Sequence, residues 1–358
     1  PDEHVFLCVL SCAVNGMPLA ARRVFRLSLT MALSLAFAYG IGMKLPYLAP
    51  IFAVFVSAVP KPPMGPKGLV GVVLLVFGTT SVGLLLVPLL INYPASAVLV
   101  VLLGVYLSNY LSINLGKGPV GTFLIVGFTM ISAAGLASFE MARAVIDALI
   151  LGIGIAIVCQ WIIYPLLPED AAETPGKEPE SAATTPTWVA LRATLIVMPA
   201  YVVALSNPAM YLPIIMKSVS LGQQSSVLGA RDAGRELLGS TFLGGCLAIL
   251  LWAGLGIATN LWMFFLWILL AGVYAASKIY GVLGSRFPAS FWTNTLVTML
   301  ILLGAAVQDS NSGKDVYSAF AIRMSLFVAV TLYAWGAVVL LERVRIRRLN
   351  QGTVAVPV

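Results

Sequence analysis

Residues 168–187 read PEDAAETPGKEPESAATTPT, and the reading of this stretch decides how the rest of the chain is divided. It holds five acids, four prolines and one lysine, with no large apolar side chain. Such a segment cannot bury enough apolar surface to offset the conformational entropy of ordering it. The stretch is therefore expected to be a flexible, solvated linker. On each side of it the sequence is almost wholly apolar.

Of the 358 residues, 60% are hydrophobic and only 10% charged. A soluble domain carries about 25% charged residues, so this composition belongs to a membrane protein. Apolar runs of roughly 17–25 residues, the length of a bilayer-spanning helix, recur along both flanks. They lack the alternation of membrane-barrel strands. The expected fold class is all-α: a polytopic membrane protein of about twelve transmembrane helices. Spans are expected at roughly 24–42, 46–59, 69–90, 95–111, 119–137 and 143–165 before the linker. After it they are expected at roughly 188–206, 209–222, 236–258, 260–277, 289–307 and 316–341. Residues 5–14, VFLCVLSCAV, are too short to span, and basic residues follow rather than precede them. They read as an interfacial helix rather than a signal peptide. The organisation expected is thus an N-terminal segment at 1–21, six spans in 22–167, the linker at 168–187, six spans in 188–348 and a tail at 349–358.

The formal net charge of +7 points to topology rather than to nucleic acid, because the basic residues sit in loops. With the N-terminus inside, fifteen of the 21 Lys and Arg fall on the cytoplasmic side, among them Arg22, Arg23, Arg26, Lys278 and the run from Arg343 to Arg348. Outer loops hold only Lys44, Arg143 and Lys314, and Arg192, Lys217 and Arg323 lie in or beside spans. Both termini and the linker are therefore expected to be cytoplasmic. Four cysteines and a single histidine, His4, offer neither a disulfide framework nor a metal site. The sequence shows no paired carboxylates, phosphate loop or Ser–His–Asp set, so neither an enzyme nor a cofactor site is expected.

The two flanks resemble each other span by span. Arg26 opens the first span and Arg192 the seventh, and Tyr47-Leu48-Ala49-Pro50 returns as Tyr211-Leu212-Pro213. Gly78-Thr79-Thr80 matches Gly239-Ser240-Thr241, Val105-Tyr106 matches Val273-Tyr274, and Ile146-Asp147 matches Ile322-Arg323. Because six spans is an even number, the two repeats are expected to insert in the same direction, as a parallel duplication.

The second and eighth spans are the short ones, with Pro50 and Pro213 inside them. Short, proline-broken segments at matching places of two repeats point to a transport site, where unwound backbone survives against protein or water. Tyr47 and Tyr211 flank these spans and could stack on a substrate ring. Gln223 belongs to the polar run that follows the eighth. Lys217 lies about eight residues into that span, where an ammonium costs a few kcal/mol unless it meets water or a partner. It reads as an anion contact or as a lysine snorkelling to the cytoplasmic face. Asp147 and Arg323 occupy matching places in the sixth and twelfth spans. Asp147 reads as a proton carrier, as the partner of Arg323, or as half of a local i, i+4 pair with Arg143.

The basic entry to the first span, then LAFAYGIGMKLPYLAPIFAVFVSA at Leu35–Ala58 and a Gly-Thr-Thr third span, resembles the fusaric-acid-resistance and aromatic-acid-exporter superfamily. The resemblance runs over about residues 22–348. It implies duplicated six-helix units that export aromatic or other organic acids across the inner membrane. It also implies a periplasmic membrane-fusion protein and an outer-membrane channel as partners, and leaves a homo-oligomer open. Plant relatives are anion channels with basic residues in the second and sixth helices. Lys217 and Arg323 take those places in the second repeat, whereas the first has Asp147 and no counterpart of Lys217. Many bacterial members carry a sizeable cytoplasmic domain where this chain has its linker. The function expected is proton-driven export of small organic, aromatic acids. The alternatives are a passive organic-anion channel and a scaffold subunit of a larger export complex.

The charge argument predicts that single cysteines at Asn92, Ala137 and Ser310, in a cysteine-free background, react with an impermeant thiol reagent added outside intact cells. Cysteines at Pro63, Thr184 and Gly284 react only after the membrane is opened. Outside labelling of the second group would invert the topology.

Overall fold

The computed structural model describes residues 17–59, 61–169, 186–224, 230–313 and 315–354, with the side chains of 186, 209–210, 223–224, 230–234 and 345–354 left undescribed. The expected interfacial helix at 5–14 and linker residues 170–185 lie outside the described residues.

The helices are α1 (Leu19–Gly40), α2 (Leu48–Ala58), α3 (Pro66–Asn92), α4 (Pro94–Asn114), α5 (Gly118–Val126) and α6 (Ser132–Ala137). They continue with α7 (Phe139–Ile163), α8 (Pro186–Ser206), α9 (Pro208–Gln224), α10 (Ala230–Leu255), α11 (Leu261–Ile279), α12 (Ala289–Asn311) and α13 (Val316–Val354). A π-helical turn, Gly127–Ile131, joins α5 to α6, so these three pieces form one interrupted span. Among the described residues the helices therefore stand where the twelve apolar runs stand in the sequence. Among the described residues nine are long and apolar enough to cross a membrane. The three that are not are α1, which opens with Arg22, Arg23 and Arg26, and the short α2 and α9.

Local sequence sets the helix ends. Four helices begin on a proline, Pro66, Pro94, Pro186 and Pro208. The first turn has N–H groups without intrahelical partners, so the missing proline N–H costs nothing there. Gly42, Gly116, Gly281 and Gly313 each follow a helix end by two residues with φ between 62° and 73°. This left-handed closure is available to glycine without a Cβ penalty.

The chain forms two compact units, and each draws on both sides of the linker. Unit 1 comprises residues 1–74, 147–180 and 243–320; unit 2 comprises 75–146, 181–242 and 321–358. In unit 1, α1 packs on α2 and α11, α11 packs on α12, and α12 returns to α2. In unit 2, α8 packs on α9 and α4, α4 packs on α5 and the π turn, and the interrupted span returns to α9. Each contains a closed ring of four spans, the first two from one side of the linker with the fourth and fifth from the other. Contacts within the rings are close. A Cβ on Gly304 of α12 would lie 2.3 Å from Tyr47 Cβ, and one on Gly272 of α11 would lie 2.6 Å from Met31 Cε. Small residues of this kind let membrane helices approach closely enough for dispersion to hold them.

Two expectations are corrected. Neither short span is unwound at its proline. Pro50 is the third residue of α2, within the first turn, and Pro213 lies inside a continuous α9. The break in regular helix falls instead in the fifth span, at Gly127–Ile131. Nor is the start of the linker free. Pro168 O accepts from Arg22 Nη1 at 3.1 Å, Glu169 pairs with Arg23 and Arg26, and Pro186 and Thr187 already belong to α8.

Candidate functional site

Among the described residues of unit 2, Lys217 is the most buried charge-bearing one, with no exposed surface at all. It sits about 13 Å along α9 from Pro208, at 1.5 Å per residue. Pro213, one turn earlier on the same face, is buried too. The helix packs on α8 and on all three pieces of the interrupted fifth span, which encloses its middle in protein. The snorkelling reading needs the ammonium to reach the surface, and complete burial removes that option.

The elements around α9 bring a seam of polar side chains into the core of unit 2. Asn109 of α4 donates from Nδ2 to Thr194 Oγ1 of α8 at 3.2 Å. Ser132 of α6 and Tyr201 of α8 share a hydrogen bond, 3.1 Å between hydroxyls. Thr129 of the π turn donates back to Ile125 O at 2.6 Å, and Ser218 of α9 to Ile215 O at 2.8 Å. All six residues are buried. In hydrocarbon an unsatisfied polar group costs several kcal/mol, so these groups are bonded to one another or to local carbonyls. Gly127, the first residue of the π turn, is where the fifth span touches α3: a Cβ there would lie 2.5 Å from Thr79 O. A π turn inside an α-helix is frequently a feature of a functional site, and no residue pattern at 127–131 announces it.

The matching stretch of α2 in unit 1 has no such cation. Lys217 follows Tyr211 by six residues, and Ala53 of α2 follows Tyr47 by the same number. Ala53 and its neighbour Val54 are fully buried and apolar. Tyr47, 4% exposed, packs its ring on Gly304, and Pro50 is buried beside it. These two are core residues of unit 1, whereas Tyr211, half-buried, shares α9 with Pro213 and Lys217. Gln223 lies in the last turn of α9, and its side chain is outside the described residues. Asp147 is exposed on α7, and Arg143, one turn before it, is exposed as well. Arg323 is half-buried in α13; it belongs to unit 2 and Asp147 to unit 1. Asp309 near the end of α12 and Glu236 in α10 are buried acids that the span-by-span reading passed over. Both stand close to span ends, where an acid resembles loop sequence. Among the described residues no group of three His, Cys, Asp or Glu comes together as a metal site would need.

A second charged arrangement lies at the basic end of unit 1. Arg26, only 2% exposed, pairs with Glu169 at 2.6 Å and lies 5.5 Å over the Tyr164 ring. Arg23 pairs with the same carboxylate. Tyr280, just beyond α11, donates to Ser57 O at 2.9 Å and so fastens α11 to the end of α2. Burial pushes its hydroxyl up to about 12. Burial also pushes the Glu169 carboxyl up, but hydrogen bonds and charge from Arg23 and Arg26 outweigh it and hold the group below its ordinary range. Unit 2 repeats the motif: Arg192 of α8 lies 3.9 Å from Glu342 of α13.

Residues 23–163 match a family described as "Protein of unknown function (DUF2955)". No curated protein and no solved structure matches the chain. The match covers α1–α7 and so stops short of Lys217.

The Glu169 pairs carry a prediction with a definite sign. A carboxylate whose folded pKa is depressed stabilises the fold above its unfolded pKa and loses that contribution as pH falls through the folded value. Thermal unfolding in detergent is therefore expected to show Glu169→Gln melting below wild type by a constant margin from pH 8 to pH 5. The margin shrinks below about pH 4, where an ordinary glutamate is protonated. A margin unchanged at pH 3 would show that charge pairing is not what Glu169 contributes.

Proposed function

We propose that this chain is an inner-membrane exporter of small organic anions, with the ammonium of Lys217 as the anion-binding group. The observation that carries the proposal is the complete burial of Lys217 at the middle of α9, among apolar helices. An intramembrane cation is costly to keep and so points to function by default. Out of water, an ammonium–carboxylate hydrogen bond is charge-assisted and roughly twice as strong as a neutral one. The hydroxyls of Ser132, Tyr201, Thr129 and Ser218 in the same unit supply further polar groups for a carboxylate or a ring substituent. The aromatic character of the substrate, and a membrane-fusion protein as partner, follow from the resemblance of Leu35–Ala58 to aromatic-acid exporters.

Export against a gradient needs a coupling ion, and Asp147 is the acid assigned to carry the proton. Its exposure on α7 leaves the carboxyl open to exchange. The local pairing with Arg143 is the competing role for the same side chain.

Proteoliposomes holding the purified chain test these assignments together, with radiolabelled benzoate and an imposed pH gradient. Wild type is expected to concentrate benzoate. Lys217→Gln is expected to lose at least roughly tenfold of the rate, the worth of one charge-assisted hydrogen bond, while eluting as wild type from a sizing column. Asp147→Asn is expected to keep benzoate exchange at equal pH and to lose gradient-driven accumulation. A wild-type rate in Lys217→Gln removes the anion site. Accumulation in Asp147→Asn leaves that residue to Arg143. Flux that never exceeds equilibrium marks a passive channel, and no flux at all marks a scaffold subunit.

A further inference from the structure

Unit 1 has an open cavity of about 850 Å³ where α1 ends, α10 leads into α11, and α12 leads into α13. Its walls carry Tyr39, Trp252, Phe264 and Tyr317. Tyr39 meets Phe264 edge to face, with ring centroids 5.2 Å apart at 64°. The Tyr39 hydroxyl is buried and has no hydrogen-bond partner among the described residues. Buried hydroxyls are bonded in the great majority of cases, so an orphaned one on a cavity wall is a donor in want of an acceptor. Asp315 stands at the rim, fully exposed, and is the single charged residue of the lining. Its Oδ1 accepts from Tyr317 N at 3.1 Å at the start of α13. Hydrogen bonds from Ser318 and Tyr317 hold its carboxyl below the ordinary range, so it is ionised at neutral pH.

Among the described residues the lining has four aromatic side chains, one carboxylate and no cationic residue, a surface that disfavours anions. It favours positive charge through the ring faces and the carboxylate together. We infer that this cavity is a second ligand site, for a neutral or cationic aromatic molecule, with the Tyr39 hydroxyl donating to an acceptor that the ligand carries. The site lies in the unit that lacks Lys217 and has the opposite charge preference, so it stands whether or not Lys217 binds an anion.

Three probes of one shape separate the contributions. Tetraphenylphosphonium is cationic and has no acceptor, triphenylphosphine oxide is neutral with a strong acceptor, and tetraphenylborate is anionic. Binding is measured by equilibrium dialysis against the full chain in nanodiscs, with empty nanodiscs subtracted. Saturable binding of one phosphonium or one phosphine oxide per chain is expected, with tetraphenylborate weakest. Asp315→Asn keeps a residue that caps a helix as well as Asp does, and is expected to weaken the phosphonium by roughly two- to fivefold while sparing the oxide. Tyr39→Phe is expected to weaken the oxide by roughly five- to tenfold and to spare the phosphonium. The inference is overturned by absence of saturable binding of both probes, by tetraphenylborate binding as tightly as the phosphonium, or by either variant leaving its own probe unaffected.

Discussion

Helices in a bilayer gain little by hiding apolar side chains from lipid, because lipid tails are as apolar as leucine. What holds them is close approach and hydrogen bonding, and here both act between helices from opposite sides of the linker. Gly272 of α11 admits Met31 and Ser28 of α1, and Gly304 of α12 admits Tyr47 ahead of α2. In unit 2, Asn109 of α4 bonds Thr194 of α8, and Ser132 of α6 bonds Tyr201 of α8. The first two spans of each repeat thus complete themselves with the fourth and fifth of the other. Arg26 near the start of α1 and Arg192 near the start of α8, both buried, each find a glutamate beyond or late in the sixth span on their own side of the linker.

The two units, built on similar rings of helices, have unequal contents. Lys217 and its polar surroundings are confined to unit 2, while the matching stretch of α2 is apolar. The cavity with its orphaned tyrosine hydroxyl and rim carboxylate is in unit 1. The Arg–Glu pairs occur in both and belong to the scaffold.

Helix positions were legible because a bilayer span leaves a strong signal: a run of apolar residues of fixed length, bounded by proline or glycine. The partnership of α1 with α11 was not legible, since periodicity shows which residues face inward but not toward which helix. Pro50 and Pro213 misled for a physical reason. A proline in the first turn loses no hydrogen bond, and one inside a helix packed on all sides is accommodated without unwinding. The π turn at Gly127–Ile131 carries no proline and had no pattern to find. Lys217 was legible because an ammonium in an apolar run stands out, but its complete burial was not, since a lysine stem can reach water from the same depth. Glu169 was hidden in linker composition, and only the folded chain brings it to Arg23 and Arg26.

The interlocking of the repeats is the central claim, and dividing the chain inside the linker tests it directly. Residues 1–175 and 176–358 would be produced as two polypeptides with different tags, together and separately. The account predicts a one-to-one complex that survives detergent extraction and co-purifies on either tag, with each half alone aggregating because its first two helices lack their partners. Two monodisperse six-helix halves, each stable alone and indifferent to the other, would contradict it.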